Sequence, residues 1–136
     1  MLAGGNGVPL SLAVSGANRH DSVSPDPLLK ARLIEPEQDN GVPNLCLDAA
    51  YVGKEAVVKA NGFIPRIRPR GEEKRLIEKD PSFKARRWVV ELSHSWFNRF
   101  RKLLPRYEKT DLFYLALNSL AAAMIGLNKV KSIDNR

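Results

Sequence analysis

Two acidic residues stand in surroundings that suit chemistry on phosphate esters. Asp48 follows the apolar run at residues 44–47, where a strand is predicted to end, and Glu91 lies in a segment rich in arginine. Carboxylate oxygens are the ligands that Mg²⁺ prefers, and surrounding positive charge suits a phosphodiester substrate. The pair therefore indicates metal-dependent chemistry on DNA, although two carboxylates form only part of such a site.

Positive charge is concentrated in one part of the chain. The 136 residues carry 22 Lys and Arg against 15 Asp and Glu, a formal net charge of +7. Residues 1–63 have 5 basic and 7 acidic side chains (−2), residues 64–109 have 14 and 6 (+8), and residues 110–136 have 3 and 2 (+1). Localised charge around Glu91 favours a nucleic-acid-binding face more strongly than a high isoelectric point does.

Several other classes of protein are disfavoured. Cys46 is the only cysteine, which excludes an intrachain disulfide and suggests a reducing compartment. Its place in an apolar segment predicts a buried side chain. Two isolated histidines do not suggest a zinc site. No signal-peptide pattern is present, and the apolar stretch from Leu112 to Leu127 is short for a membrane span. We expect a cytoplasmic protein without a membrane partner.

The order of predicted elements is typical of an α/β fold. It begins with a hairpin around Asn6-Gly7 and ends with a helical segment at about 110–128. Between them lie a helix at 27–33, a strand at 45–48 buried on both faces, a helix at 54–61, a strand at 63–67, a charged loop at 68–81 and the helix that carries Glu91.

The predicted helix around Glu91 has an apolar and a polar side. At about 100° per residue, the apolar arc contains Val89, Leu92, Trp96, Phe97, Phe100, Leu103 and Leu104. The opposite arc contains Glu91 with Arg87, His94, Ser95, Asn98, Arg99, Arg101 and Lys102. Either Glu91 projects between cations that bind phosphate, or this is a solvated face with ion pairs four residues apart.

Asp48 is predicted at the carboxyl end of a central strand, which is where open α/β sheets place ligand sites. The alternative is a helix cap. A cap for the next helix would be expected nearer Lys54, so the ligand hypothesis is favoured.

Three motifs, in this order, resemble the C-terminal part of DDE transposases of bacterial insertion sequences. They are Gly16-Ala17-Asn18-Arg19-His20-Asp21-Ser22, Leu47-Asp48-Ala49-Ala50-Tyr51, and Arg87-Trp88-Val89-Val90-Glu91 followed by Trp96-Phe97-Asn98-Arg99-Phe100-Arg101. The resemblance extends from about Gly5 to Leu127. It implies a ribonuclease H-like mixed sheet flanked by helices, with two Asp and one Glu binding two Mg²⁺ or Mn²⁺ ions.

By position, the resemblance makes Asp48 the second Asp and Glu91 the Glu, both catalytic and both metal ligands. The family's first Asp lies upstream and has no counterpart here, and Asp21 belongs to a loop motif and does not replace it. Leu92 stands where the family commonly has Arg. We therefore expect residues 1–136 to be an N-terminally truncated catalytic domain that does not cut or join DNA alone.

The implied function is DNA transposition, by metal-dependent cleavage and strand transfer at insertion-sequence ends. In that role Asp48 and Glu91 should face one cleft, and Arg87, Arg99, Arg101 and Lys102 should contact DNA phosphates. Expected partners are DNA, an upstream transposase half or an intact transposase, and a second copy pairing through an open sheet edge. Two alternatives stay open: a ribonuclease H-like nuclease without strand transfer, and a non-catalytic DNA-binding remnant or regulator of an intact transposase.

Overall fold

The chain forms two compact units, each built from separate stretches of sequence. A computed structural model describes residues 1–16, 25–32, 41–68, 72–79 and 87–134. The first unit comprises Met1–Val14, Ala31–Leu33 and Arg87–Arg136, and the second comprises Ser15–Lys30 and Ile34–Arg86. The predicted loop motif at 16–22 lies, apart from Gly16, outside the described residues, and so does Asp21.

The first unit begins with a short antiparallel hairpin. Strands β1 (Leu2–Ala3) and β2 (Pro9–Ser11) pair around a tight connection. Within it, the side-chain oxygen of Asn6 accepts a hydrogen bond of 3.2 Å from the backbone N–H of Val8. Gly7 has φ of +85°, a left-handed conformation that glycine adopts without strain. The hairpin predicted from Asn6-Gly7 is therefore confirmed.

Helix α4 (Arg87–Phe97) packs against this connection at Gly7. Ser93 is fully buried, and its hydroxyl donates a hydrogen bond of 2.6 Å to the carbonyl oxygen of Gly7. A Cβ on Gly7 would lie 3.2 Å from both Leu92 and Trp96. The absence of a side chain on Gly7 thus allows the helix to approach the backbone closely.

Helix α5 (Asp111–Asp134) completes the first unit and packs against β2 and α4. Ala121 and Ile125 are buried on its packed side, and the Lys129 ammonium lies 4.6 Å from the centre of the Trp96 ring. The stretch Asp111–Ser132 is long and apolar enough to cross a membrane, a criterion that core helices of soluble proteins also meet. It is longer than the apolar segment predicted from sequence.

The second unit contains a parallel strand pair joined through a helix. Strand β3 (Asn44–Leu47) pairs in parallel with β4 (Ile64–Ile67), and helix α2 (Glu55–Ala60) connects them. A parallel pair requires such a crossover, and here α2 packs on β4. The core of the unit is formed by Leu29, Leu45, Val58 and Phe63, all of which are buried.

The end of α2 is fixed by residues that the sequence predicts to stop a helix. Asn61 caps α2, and Gly62 follows with φ of +82°. The Asn61 amide also donates a hydrogen bond of 3.0 Å to Asp26 at the start of helix α1 (Asp26–Lys30). Lys30, 2.7 Å from Asp26, and the Asn61 amide together hold the pKa of that carboxyl below its usual value.

Three predictions for the second unit are wrong. Strand β3 is not buried on both faces, because Asn44 and Cys46 are exposed while Leu45 is buried. Cys46 is consequently not a core residue. The charged segment predicted as a loop contains helix α3 (Glu72–Lys79), whose Glu, Lys, Arg and Leu residues have high intrinsic helix propensity.

The α/β fold class is confirmed. The described strands form two separate two-stranded pairs, β1 with β2 and β3 with β4. The more specific ribonuclease H-like mixed sheet stays a prediction.

We predict that Ser93→Ala lowers the free energy of unfolding by about 1–3 kcal/mol, because it removes a buried hydrogen bond to the Gly7 carbonyl oxygen. Ser95→Ala is the matched control. Its hydroxyl bonds to the Leu92 carbonyl oxygen in the same helix but is exposed, and the change in helix propensity is identical. Urea unfolding of both variants measures the difference, and equal midpoints would contradict the assigned role of Ser93.

Candidate functional site

Asp48 is the first residue after β3, at the carboxyl end of the parallel strand pair. Its side chain is exposed. The residue caps a short 3₁₀ turn (Ala49–Tyr51), and its Oδ1 accepts a hydrogen bond of 2.6 Å from the backbone N–H of Ala49. The strand ends at Leu47, one residue before its predicted end, and the carboxylate is held at the start of the connection to α2.

The sequence predicts that a capping residue for the helix after β3 lies nearer Lys54 than Asp48, and this prediction is wrong for the first helical turn after the strand. Lys54 does precede α2, but it makes no side-chain capping bond, whereas Asp48 caps the earlier 3₁₀ turn. The sequence does not reveal this turn because Ala49-Ala50-Tyr51 carries no helix-start pattern of its own. The bond from Ala49 uses Oδ1, and a carboxylate offers roughly four acceptor positions, so capping does not by itself exclude metal binding.

Glu91 lies in the middle of α4, and its side chain is exposed. Two neighbours on the helix, Trp88 and Val90, are also exposed, Trp88 by 50%. Among the side chains that the structure describes, Glu91 has no ion-pair partner. The side chain of Arg87, one turn earlier, is outside that set, so an ion pair four residues apart stays a prediction.

The predicted continuation of this helix beyond Phe97 is wrong. The backbone N–H of Arg99 bonds to the Trp96 carbonyl oxygen and that of Phe100 to Phe97, so the chain tightens into three-residue turns. Arg101 and Lys102 then lie in a separate 3₁₀ turn (Arg101–Leu103). Arg101 and Lys102 therefore follow the C-terminus of α4 and do not share a helical face with Glu91. The side chains of Glu91, Arg101 and Lys102 are all exposed.

The candidate residues are divided between the two units. Asp48 belongs to the second unit, whereas Glu91, Arg99, Arg101 and Lys102 belong to the first. Within the described part of the chain, no group of three or more His, Cys, Asp or Glu side chains is arranged to hold a metal ion. That both carboxylates face one cleft stays a prediction.

Ser93 is the residue that sequence reasoning missed. It positions α4 and therefore Glu91, because its hydroxyl bonds to both the Gly7 and Val89 carbonyl oxygens. A signal was present: at about 100° per residue, Ser93 lies about 200° from Glu91, in the middle of the predicted apolar arc. A lone small polar residue in such an arc indicates a buried hydrogen bond.

Comparison with known proteins identifies the same region. The model of the transposase DDE domain family matches residues 45–128, a range that contains both Asp48 and Glu91. A Burkholderia cepacia protein designated a candidate transposase for insertion sequence element IS402 is 30% identical over 134 residues. That alignment covers 95% of this chain, and the chain spans 62% of the relative's length. No solved structure matches.

The family match covers more than half of the chain and includes most of the strand that precedes Asp48, the helix that carries Glu91 and most of α5. The chain therefore belongs to the DDE transposase family.

Proposed function

We propose that this chain acts in DNA transposition, and that Asp48 and Glu91 are two of the carboxylates that bind the catalytic metal ions. The observation that carries the proposal is the family match across residues 45–128, which includes both exposed carboxylates. The finer fold that goes with it is a ribonuclease H-like sheet, with β3 as the strand that ends at the site.

The donor chemistry of the two residues fits a hard divalent cation. Both are carboxylates, and Mg²⁺ and Mn²⁺ are bound in proteins mainly through oxygen ligands and retained water. Both side chains are exposed and thus accessible to an ion and to DNA. When bound, such ions supply activation of the attacking oxygen and stabilisation of the leaving oxygen in phosphodiester cleavage and strand transfer.

The chain's own residues position the two ligands. The hydrogen bond from Ala49 to Oδ1 orients the Asp48 carboxylate at the end of β3. The buried bond from Ser93 to Gly7 fixes the rotation of α4, which directs Glu91 away from the hairpin. Preorganised ligands lower the cost of assembling a site for two ions.

The cations that follow α4 are proposed to contact DNA phosphates. Arg99, Arg101 and Lys102 are exposed and lie within two turns of chain after the helix of Glu91, and Arg87 starts that helix. Contacts to phosphate orient the substrate without reading its sequence. The remaining partners we propose are an upstream transposase segment or an intact transposase. We propose the cytoplasm as the location of the protein.

We predict weak binding of random-sequence duplex DNA that falls steeply with salt, because neutralised phosphates release counterions. Arg99→Gln/Lys102→Gln should reduce the slope of log affinity against log salt by about 2. Lys59→Gln/Lys131→Gln removes the same charge from exposed positions outside the basic segment and should leave the slope unchanged. Fluorescence anisotropy between 50 and 200 mM salt, roughly the range over which such contacts weaken, measures both. Equal slopes in the two variants would show that these cations are only a solvated surface.

We predict that the isolated chain does not nick DNA, and that in-frame fusion to the segment encoded immediately upstream confers Mg²⁺-dependent nicking. In the fusion, Asp48→Asn or Glu91→Gln should reduce nicking by roughly 100-fold or more, because displaced ions misplace the reacting oxygens. Glu78→Gln and Asp134→Asn are matched controls, since both carboxylates are exposed and lie outside the proposed site. Conversion of supercoiled plasmid to open circles is the readout.

The same assay separates the alternatives. Nicking without joining of insertion-sequence ends would indicate a nuclease, and an inactive fusion that still binds DNA would indicate a regulator or remnant. Equal activity in the Asp48, Glu91 and control variants would contradict the proposed site.

A further inference from the structure

Tyr107 is the most exposed of the large apolar and aromatic side chains that the structure describes, at 77%. It lies in the segment that joins the 3₁₀ turn at Arg101–Leu103 to helix α5. Single exposed aromatic residues are common on protein surfaces. Two features of its surroundings distinguish this one, a side chain that anchors the backbone beside it and a concentration of positive charge.

The backbone around Tyr107 is held by the side chain of Arg106. The Arg106 Nε donates a hydrogen bond of 3.2 Å to the carbonyl oxygen of Glu108, which spans Tyr107. The same guanidinium forms an ion pair with Asp111 in the first turn of α5 and lies 5.2 Å from the centre of the Tyr114 ring. Arg106 is therefore engaged within the protein, and it ties the segment to a long helix.

An aromatic ring on an anchored backbone is suited to binding a planar ligand. A tyrosine side chain has only two rotatable bonds, so little conformational entropy is lost when its ring is covered. The contacts of Arg106 order the segment before any ligand binds, which lowers the cost of binding further. The Tyr107 ring thus offers a flat apolar face that needs little rearrangement to be used.

Positive charge lies on both sides of the ring in the sequence. Residues 99–109 carry five basic side chains against one acidic side chain. One of the five, Arg106, is paired with Asp111. The other four are exposed, and they are Arg99, Arg101, Lys102 and Lys109. Cations around an exposed aromatic ring indicate a ligand that is both polyanionic and aromatic, and a DNA strand with unpaired bases has both properties.

The ring and the cations favour different forms of DNA. Within a duplex each base face is covered by the neighbouring base pairs, whereas an unpaired base can be stacked on a protein side chain. Phosphate contacts alone favour the duplex, because its charge density is higher and each contact releases more counterions than a contact to a single strand. Tighter binding of a single strand would therefore require a contact to its bases.

We propose that Tyr107 stacks on an unpaired nucleobase of DNA while Lys102 and Lys109, on either side of it in the sequence, contact phosphates of the same strand. This site rests on the proposed function, because it extends the phosphate contacts proposed above for the cations that follow α4. It adds the form of the substrate, which is a strand whose bases are unpaired where it meets residues 99–109. Tyr107 is a binding residue and takes no part in metal binding.

The first test compares the affinity of the full chain for an oligothymidine and for a mixed-sequence duplex of the same length, by fluorescence anisotropy at low salt. The unsubstituted chain should bind the single strand more tightly. Tyr107→Ala should weaken single-strand binding by roughly 5- to 150-fold, the range expected for loss of one base stack, and leave duplex binding within about twofold. Tyr107→Phe keeps the ring and should keep the single-strand affinity.

Phe113→Ala is the matched control for the loss of a ring. Phe113 is also aromatic and is 62% exposed, but it lies in α5, outside residues 99–109. Its removal should change neither affinity by more than about twofold. Both alanine substitutions are at exposed positions, and thermal unfolding checks that both variants are folded.

The second test locates the contact without any substitution in the protein. An oligothymidine with 5-iodouracil in place of one thymine forms a covalent bond, on irradiation, to an aromatic ring stacked on the modified base. Peptide mass spectrometry should identify Tyr107 as the crosslinked residue. Added salt should reduce the yield, because it weakens the phosphate contacts that hold the strand.

Four results would overturn the proposed stacking site. Salt-dependent binding with a preference for duplex, unchanged in Tyr107→Ala, would show that only the cations bind and would leave the proposed function intact. A crosslink at another residue would place the base elsewhere. Weaker binding of the separately prepared upstream segment by Tyr107→Ala, with unchanged affinity for DNA, would assign the ring to a protein interface. Binding of neither form of DNA would contradict the proposed function as well.

Discussion

The contact between Gly7 and helix α4 determines how the first unit presents Glu91. The Ser93 hydroxyl reaches the Gly7 carbonyl oxygen at 2.6 Å, and the missing side chain of Gly7 lets Leu92 and Trp96 approach. Together these contacts fix both the distance of the helix from the hairpin and its rotation. Since Glu91 lies about 200° around the helix from Ser93, its exposure follows from that rotation.

The position of the Asp48 carboxylate depends on a different constraint, which is the crossover that joins β3 to β4. Parallel pairing from Asn44 with Ile64 to Leu47 with Ile67 requires the chain to leave β3 at Asp48 and return through α2. Val58 and Phe63, both buried, hold that crossover on the strands. The carboxylate is thus positioned by strand pairing, whereas Glu91 is positioned by a side-chain hydrogen bond, and the two arrangements are formed in separate units.

Local signals in the sequence predicted much of the fold. Asn6-Gly7 and Asn61-Gly62 place the hairpin and the end of α2, because few residues other than glycine adopt positive φ at low cost. The failures concern one property that depends on tertiary context, the burial of β3, and two that are local, the missed helix α3 and the end of α4. The exposure of Cys46 depends on what covers its side of β3, and the end of α4 at Phe97 depends on hydrogen bonds that tighten after Trp96. The candidate site residues Asp48 and Glu91 were proposed from motif resemblance, whereas Ser93, which positions Glu91, was not found in that way.

The most direct measurement of whether Asp48 and Glu91 form one site is a double-mutant cycle on Mn²⁺ affinity, followed by electron paramagnetic resonance of the free ion. We expect Asp48→Asn and Glu91→Gln each to weaken Mn²⁺ binding to the chain, and the double variant to be little weaker than either single one. Such non-additivity arises when two groups bind the same ion. Independent, additive effects, or no loss of affinity in either variant, would contradict a shared metal site.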